Sequence, residues 1–425
     1  MKQEGFFDIA VRQLREDLRG APAAARRRLS EAGRVERCGN IAELRTLARR
    51  RVPRVAFDYA DGAAGDEVTA ARNQADLRRL AIVPRMLVGA VEIDLSTTVL
   101  GQAVKVPLLG APTGATGIFH HDGEIAVARA VHAAGGLYVL SSVGSRTPEE
   151  VAAGSSGPKW FQLYVSRDRG YAAEQIARAR AAGYLALVLT VDTQRAGVRE
   201  RDRRNGFTLP PRMTARALAE GMVRPRWSIE FIRRPRYLSE STQRAIESNR
   251  GQRNFRAVMS SQFDPGLSWH DIGWLQEQWD GPIVIKGLLR AEDAEQAARL
   301  GVAGVVVSNH GGRQLDSAPS TIAALPAVVD AVGSEIEVYM DGGIRRGVDI
   351  VKALGLGARA CLSGRALVYG LGAGGAAGAA RAMNLLVEEL RLAMALAGCG
   401  SVRELDRTWV MNTPESEPSV AGSDR

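Results

Sequence analysis

The chain has 425 residues, is 45% hydrophobic and 24% charged, and carries a formal net charge of +9. This is an ordinary globular composition, long enough for one to three domains with a large core. Three scattered cysteines (Cys38, Cys361 and Cys399), with no CxxC or Cys/His cluster, argue against a disulfide framework or a zinc site. No stretch of about 18 consecutive apolar residues occurs, which argues against a membrane-spanning helix.

The N-terminus, MKQEGFFDIAVRQLRED, lacks the apolar h-region of a signal peptide. The expected location is cytoplasmic, at most peripheral to the inner face of the cell membrane. Residues 1–103 read as a helical extension and barrel cover. Within them, residues 26–54 hold ten Arg against three Glu.

From residue 104 a short apolar run, a helix-like Ala/Glu/Arg-rich stretch and another apolar run alternate repeatedly. The runs are VPLLGAP (106–112), LYVLSS (137–142), WFQLYV (160–165), LALVLTVD (185–192), IVIKG (283–287), GVVVSN (304–309), VYMDGG (338–343) and ACLSG (360–364). Helical stretches between them, such as 123–135, 171–183 and 291–301, end in glycine, a common C-terminal stop. Runs apolar on both faces and alternating with helices imply a parallel sheet. Eight units over 104–378 predict an α/β fold, a closed (β/α)8 TIM barrel, with an open doubly wound sheet as the alternative.

Residues 193–281 separate the fourth and fifth runs, far more than an ordinary βα loop. The basic part of this insertion, residues 194–256, holds sixteen Arg against six acids. The two basic segments carry net charges of +7 and +10 against +9 for the whole chain, so the remainder is acidic. Either these are solvated arginine-rich stretches or they meet an anionic surface. Nucleic acid is not expected, because no recognition motif accompanies the charge. Residues 379–425 read as a C-terminal helix and tail.

In such a barrel the chemistry lies at the C-terminal strand ends. The polar residues there are Thr113, Ser141, Gln162 with Tyr164, Thr190 with Asp192, Lys286, Ser308 with His310, Asp341, and Gly364 with Arg365. The apolar runs end repeatedly in a hydrogen-bonding or ionisable group, which random placement would not produce. In DGGIRRG (341–347) and SGRA (363–366), glycines stand beside Arg345 and Arg365, a combination suited to phosphate. GLGAGG (370–375) fits GxGxxG, but no βαβ unit surrounds it; it reads as a small-residue loop, and a nicotinamide site lacks support.

Several blocks carry a family resemblance: SNHGGRQLD, DGGIRRG, FQLYV, LTVDT, IKG, APTG and FDYADGA. In order, from about residue 40 to 410, they resemble the FMN-dependent L-α-hydroxy acid dehydrogenases and oxidases, which include glycolate oxidase and L-mandelate dehydrogenase. Within that family the chain is most similar to the bacterial quinone-linked L-lactate dehydrogenases. The resemblance implies the barrel fold, FMN as cofactor, a small L-2-hydroxy acid as substrate, and a homo-oligomer, a tetramer in the family. The first segment leaves no room for a haem domain.

By the same resemblance His310 is the catalytic base, with Asp192 holding and charge-balancing its imidazolium. Arg313 and Arg199 bind the substrate carboxylate, assisted by Tyr59, and Tyr164 bonds the substrate hydroxyl. Lys286 stands by the pyrimidine edge of the flavin. Pro112, Thr113, Gly114, Ser141, Gln162, Thr190 and Ser308 surround the ring. Asp341 binds the ribityl chain, and Gly342, Gly343, Arg345, Gly364 and Arg365 lie at the phosphate. Valine at position 143, a tryptophan in glycolate oxidase, implies a roomier pocket. Gly114, an alanine in several oxidases, resembles the dehydrogenases and favours quinone over oxygen as acceptor. The sequence leaves two rivals: another phosphate-binding barrel enzyme, such as one like inosine monophosphate dehydrogenase, which needs a loop cysteine, and a non-catalytic scaffold.

Overall fold

In a computed structural model, residues 31–89, 92–207, 215–235, 238 and 263–413 are described. Eight parallel strands close into a barrel: β1 (Leu108–Gly110), β2 (Tyr138–Ser141), β3 (Lys159–Leu163), β4 (Leu187–Thr190), β5 (Ile283–Leu288), β6 (Gly304–Val307), β7 (Glu337–Met340) and β8 (Ala360–Ser363). Each strand pairs with its sequence neighbours, and β8 closes onto β1 through Leu362 opposite Leu109. The closed barrel excludes the open sheet. All eight expected runs form strands in the expected order. Most runs reach beyond the ladder at their C-terminal ends, where the polar residues turn into loops.

The apolar character on both faces follows from two distinct cores. Leu109, Val139, Trp160, Val188, Val284, Val306, Tyr339 and Leu362 point into the barrel. Their neighbours Leu108, Tyr138, Leu140, Phe161, Leu187 and Ile285 pack outward against the helices. This alternation is what a closed parallel sheet imposes on each strand. Inside the barrel Trp160 meets Tyr339 edge-on, with ring centroids 5.4 Å apart. The hairpin of strands Thr97–Val99 and Gln102–Val104 adds Val99 and Val104 to the inner core and so plugs the N-terminal end.

Before the barrel, the helices Ile41–Arg51, Arg54–Asp61 and Val68–Arg79 form the expected extension. Asn40 caps the first by accepting from Glu43 N. The expected N-terminal segment 1–30, part of the basic insertion and the tail beyond 413 lie outside the described residues. Within the insertion, the helices Glu200–Arg204, Ala215–Met222 and Pro225–Arg233 are described.

One expectation is corrected. GLGAGG is not a loop throughout: its first four residues continue a helix that starts at Arg365, Gly374 and Gly375 leave helical geometry as a kink, and a second helix runs on from there to Ala397. Packing overrides the weak helix propensity of the glycines, because their missing side chains let neighbours approach. Gly372, for instance, faces Ala48 and Phe119.

Candidate active site

The turn after β6 explains the HGG sequence. His310, Gly311 and Gly312 all adopt positive φ, at 56°, 65° and 76°. A side chain at Gly312 would strike Ala70 N at 2.6 Å, and one at Gly311 would meet Arg365 Nη1 at 2.9 Å. A non-glycine residue at φ 56° is strained, and such strain gathers at functional sites.

The strained turn aims His310 into a cavity at the C-terminal mouth of the barrel. His310 Nδ1 lies 3.0 Å from Asp192 Oδ1, and Nε2 lies 3.3 Å from Tyr164 Oη. With the Nδ1 proton directed to the carboxylate, Nε2 is left as an acceptor facing the cavity. Burial works to raise the Asp192 carboxyl, but His310 and then Lys286 outweigh it and hold it below its ordinary value. Burial raises the Tyr164 phenol, so this group stays protonated as a donor. Gln314 Nε2 donates to Asp192 O at 2.9 Å and fixes the β4 loop to the His310 turn.

Across the cavity two guanidinium groups approach the Tyr59 ring, Arg313 with Cζ 5.1 Å and Arg199 with Cζ 5.7 Å from its centroid. Arg313 donates through Nη1 to the carbonyls of Tyr59 (2.6 Å) and Gly62 (3.1 Å). Arg199 pairs with Asp202, Nε to Oδ2 2.6 Å, a partner the sequence reading missed. Among the described residues, no carboxylate pairs with Arg313. Burial, and then the charge of Arg199, push its guanidinium down to about 10. A half-buried cation with no carboxylate bonded to it is a site for an anion.

Lys286, on β5, is buried; its Nζ lies 2.7 Å from Asp341 Oδ2 and 2.6 Å from Ser308 Oγ. Ladder register brings such groups together, since Thr190 pairs with Lys286 and Ser141 with Gln162. Ser141 donates to Gln162 Oε1 at 2.8 Å.

At this mouth five buried polar atoms have no hydrogen-bond partner within the protein: Gln162 Nε2, Thr190 Oγ1, Asp192 Oδ2, Asp341 Oδ1 and Ser363 Oγ. Buried polar atoms are ordinarily paired, so this concentration calls for a polar ligand. The residues present fit FMN. Gln162, Thr190 and Lys286 can serve the polar edge of a flavin ring, and Asp341 the hydroxyls of a ribityl chain. A helix begins at Arg365, at the cavity, and offers its N-terminal N–H groups to a phosphate. Arg345 and Arg365 add positive charge there, and among the described residues neither pairs with a carboxylate. Arg365 is held by the carbonyls of Ala60, Gly62 and Gly311 at 2.7–2.9 Å.

Of the residues singled out in the sequence, Tyr59, Pro112, Thr113, Gly114, Tyr164, Thr190, Arg199, Lys286, His310 and Arg313 line the cavity, as do Asp341, Gly342, Gly343, Arg345, Gly364 and Arg365. Asp192, Ser141, Gln162 and Ser308 stand outside its lining and act on it through neighbours. The cavity also takes in residues not foreseen, notably Phe119, Phe263 and Ser363. Phe263, from the end of the insertion, packs against Tyr164 with centroids 4.7 Å apart. Cys361 is buried in β8 and does not line the cavity, so the loop nucleophile of a nucleotide dehydrogenase is not supplied by it.

The sequence model of the family described as FMN-dependent dehydrogenase matches residues 48–412. An L-lactate dehydrogenase of Caulobacter vibrioides is 44% identical over 368 residues, covering 86% of this chain and 96% of that one. An L-lactate oxidase of Nostoc sp. is 42% identical over 375 residues, covering 87% and 97%. The crystal structure of the monotopic membrane protein (S)-mandelate dehydrogenase superposes with a TM-score of 0.83 at 37% identity, covering 89% of this chain and all of that one (100%).

Proposed function

The chain belongs to the FMN-dependent dehydrogenase family, and from that premise we propose that it oxidises a lactate-like L-2-hydroxy acid to the 2-oxo acid and passes the electrons to a quinone. The carrying observation is the pairing, in one cavity, of an Asp192-supported imidazole with a half-buried guanidinium, Arg313, that no carboxylate among the described residues bonds.

Bound FMN would take up the α-hydrogen of the substrate together with its two bonding electrons. Arg313 and Arg199 hold the substrate carboxylate, and the planar fork of Arg313 fixes the orientation of the adjacent carbon. Tyr164 donates to the substrate hydroxyl oxygen. The hydroxyl proton passes to His310 Nε2, and the charge formed on the imidazole is balanced by Asp192 on Nδ1. Phe119 and Phe263 narrow the cavity and limit water. Lys286, fixed by Asp341 and Ser308, would supply a positive charge to balance the negative charge of a reduced flavin.

The relatives are named for lactate and mandelate. Val143 lines the cavity, and its small side chain suits a substituent larger than hydrogen on the hydroxy acid carbon. An anaerobic screen of L-2-hydroxy acids, from glycolate through lactate to mandelate, tests the reading. Loss of flavin absorbance with at least one is expected; none with any of them would overturn it.

The second reading is an oxidase that uses oxygen and forms hydrogen peroxide, favoured by the L-lactate oxidase at 42% identity. Two observations support the quinone instead. Gly114 leaves the cavity wall beside Val143 without a side chain. The insertion also exposes apolar Met222, Val223 and Ile232 beside Arg224, Arg226, Arg233 and Arg234, a surface suited to peripheral contact with an anionic membrane. Among the described residues no helix is long and apolar enough to cross a membrane.

A further inference from the structure

We propose that His120, His121 and Asp122 form a binding site for a divalent transition-metal ion, with Glu230 orienting the His120 ring. The sequence pattern pointed to no metal site because it offered no cysteine-based cluster. Here the ligands are three consecutive residues, brought together by the turn between the short 3-10 helix Thr116–Ile118 and the helix Gly123–Ala133.

Each of the three directs one donor atom into a common volume, with those atoms within 4.8 Å of one another. His121 Nε2 lies 3.4 Å from Asp122 Oδ1, and His120 Nδ1 lies 3.7 Å from Asp122 Oδ2. Ligands about 2.0–2.2 Å from one tetrahedral ion stand roughly 3.3–3.6 Å apart, close to this spacing, and an ion would take the place of the Asp122 N–H that His120 Nδ1 accepts at 3.3 Å. The imidazoles are largely buried, whereas the Asp122 side chain is 41% exposed, which leaves an entry path and room for water ligands.

The seat of His120 is built into the fold. Its ring packs against Gly375, at the kink in the helix Arg365–Ala397, where a Cβ would stand 2.5 Å from Nε2. The GLGAGG sequence, which the flavin cavity does not use, thus serves to admit this ring. The His121 ring lies 4.3 Å away, and its Nδ1 is buried with no hydrogen-bond partner within the protein.

The electrostatics suit a borderline metal rather than a hard one. Two cations stand nearby: Arg51, 3.8 Å from Glu230, and Arg146, which donates to His121 O. They offset the carboxylates, so affinity must come from nitrogen donors. An N,N,O set favours Zn2+, Co2+ or Ni2+ over Mg2+ or Ca2+. Glu230 Oε2 lies 3.9 Å from His120 Nε2, too long for a hydrogen bond, and a small side-chain shift would bring it into position to orient the ring of a ligating histidine. Glu230 belongs to the insertion helix Pro225–Arg233, whose Trp227 already donates to Ile118 O at 2.9 Å. A bound ion would fasten that helix to the loop carrying Phe119, at the edge of the flavin cavity.

The test is calorimetric titration of untagged, chelator-treated holoenzyme with Zn2+ and with Mg2+. One equivalent of Zn2+ per chain is expected, with no comparable Mg2+ binding. His121→Gln and Asp122→Asn should each weaken Zn2+ by at least about tenfold, and Glu230→Gln by roughly tenfold, the scale of an outer-partner loss. Unchanged flavin spectra would show that each variant folds. Absence of stoichiometric Zn2+ binding, or equal affinity in wild type and in the His120→Gln/His121→Gln double variant, would overturn the site.

Discussion

His310 Nδ1 stands 3.0 Å from Asp192 Oδ1, yet only His310 lines the cavity. The carboxylate therefore acts through the ring: it fixes the tautomer and balances the proton the ring accepts. His310→Gln should keep FMN and lose flavin reduction by roughly 10²–10⁴-fold, the scale of a general base. Asp192→Asn should fall in the same range while leaving the flavin spectrum intact, because an amide that donates to Nδ1 would move the ring proton to Nε2. Stopped-flow reduction of both variants checks this; near-normal rates would remove His310 from the role. The Asp192 carboxyl is held low in the folded chain, so the stability it contributes is present above the ordinary carboxylate range. That stability is lost as pH falls through the lowered value.

Arg313 should behave as an anion receptor with a limit at high pH. Its guanidinium is pushed down to about 10, so it carries its charge fully only well below that pH. The apparent affinity for a hydroxy acid should therefore weaken as pH rises through about 10, as the cation is lost. Arg313→Lys should raise KM by about tenfold or more despite the conserved charge, since lysine lacks the planar fork. A product-like 2-oxo acid at 100 times its Kd should stabilise wild type by about 2.7 kcal/mol, and the Lys variant much less at equal concentration. Thermal unfolding with and without the acid separates the two.

The strands were legible in the sequence because each is apolar on both faces, a pattern that only a doubly covered parallel strand keeps. The strand-end residues of the site were legible for the same reason: Gln162, Thr190, Lys286 and Asp341 interrupt or end runs that are otherwise apolar. Asp202 and Phe263 were not, because they sit in the insertion, where no periodicity marks a face. The Arg-x-x-Asp spacing of Arg199 and Asp202, one helical turn, was the available clue. The helix that reaches into GLGAGG and ends at its last two glycines was hidden because local propensity argues against it. Contacts of Gly372 and Gly375 with Phe119 and His120 decide it, and those partners are more than two hundred residues away in sequence.

Lys286 and Asp341 form a buried pair with Nζ to Oδ2 2.7 Å. Lys286→Met leaves the Asp341 charge buried and unpaired, which costs about 3–5 kcal/mol. The Lys286→Met/Asp341→Asn double variant removes both charges and should be less destabilised than the single one. Denaturant unfolding of the two apoproteins measures the difference; equal loss would mean that the pair is not coupled.

Val143 should set the size of the accepted substrate. Its Cγ2 stands 2.8 Å from the Cβ position of Gly114, so its side chain closes the wall that Gly114 leaves open. Val143→Trp fills space inside the cavity mouth. It should lower kcat/KM for phenyl-bearing hydroxy acids by more than about tenfold while sparing glycolate, because pocket filling discriminates by side-chain size. A uniform fall across glycolate, lactate and mandelate would instead mean general damage to the site.

The electron acceptor and the insertion surface should prove to be linked. Met222, Val223 and Ile232 are more than 70% exposed, and four arginines lie within the same short stretch, 222–234. Each arginine near an anionic bilayer contributes about 1 kcal/mol, and the effect decays within roughly a Debye length. Reversible attachment follows without a spanning helix. Co-sedimentation with anionic vesicles should be strong at low salt, weak at high salt, and reduced by Met222→Ser/Ile232→Ser, while neutral vesicles capture little. Steady-state turnover should be much faster with a quinone analogue than in air-saturated buffer, because a membrane-held enzyme meets its acceptor within the bilayer. Stoichiometric peroxide formation with no gain from quinone would make the enzyme an oxidase. If vesicle binding failed as well, the basic insertion would be a solvated surface that plays no part in electron transfer.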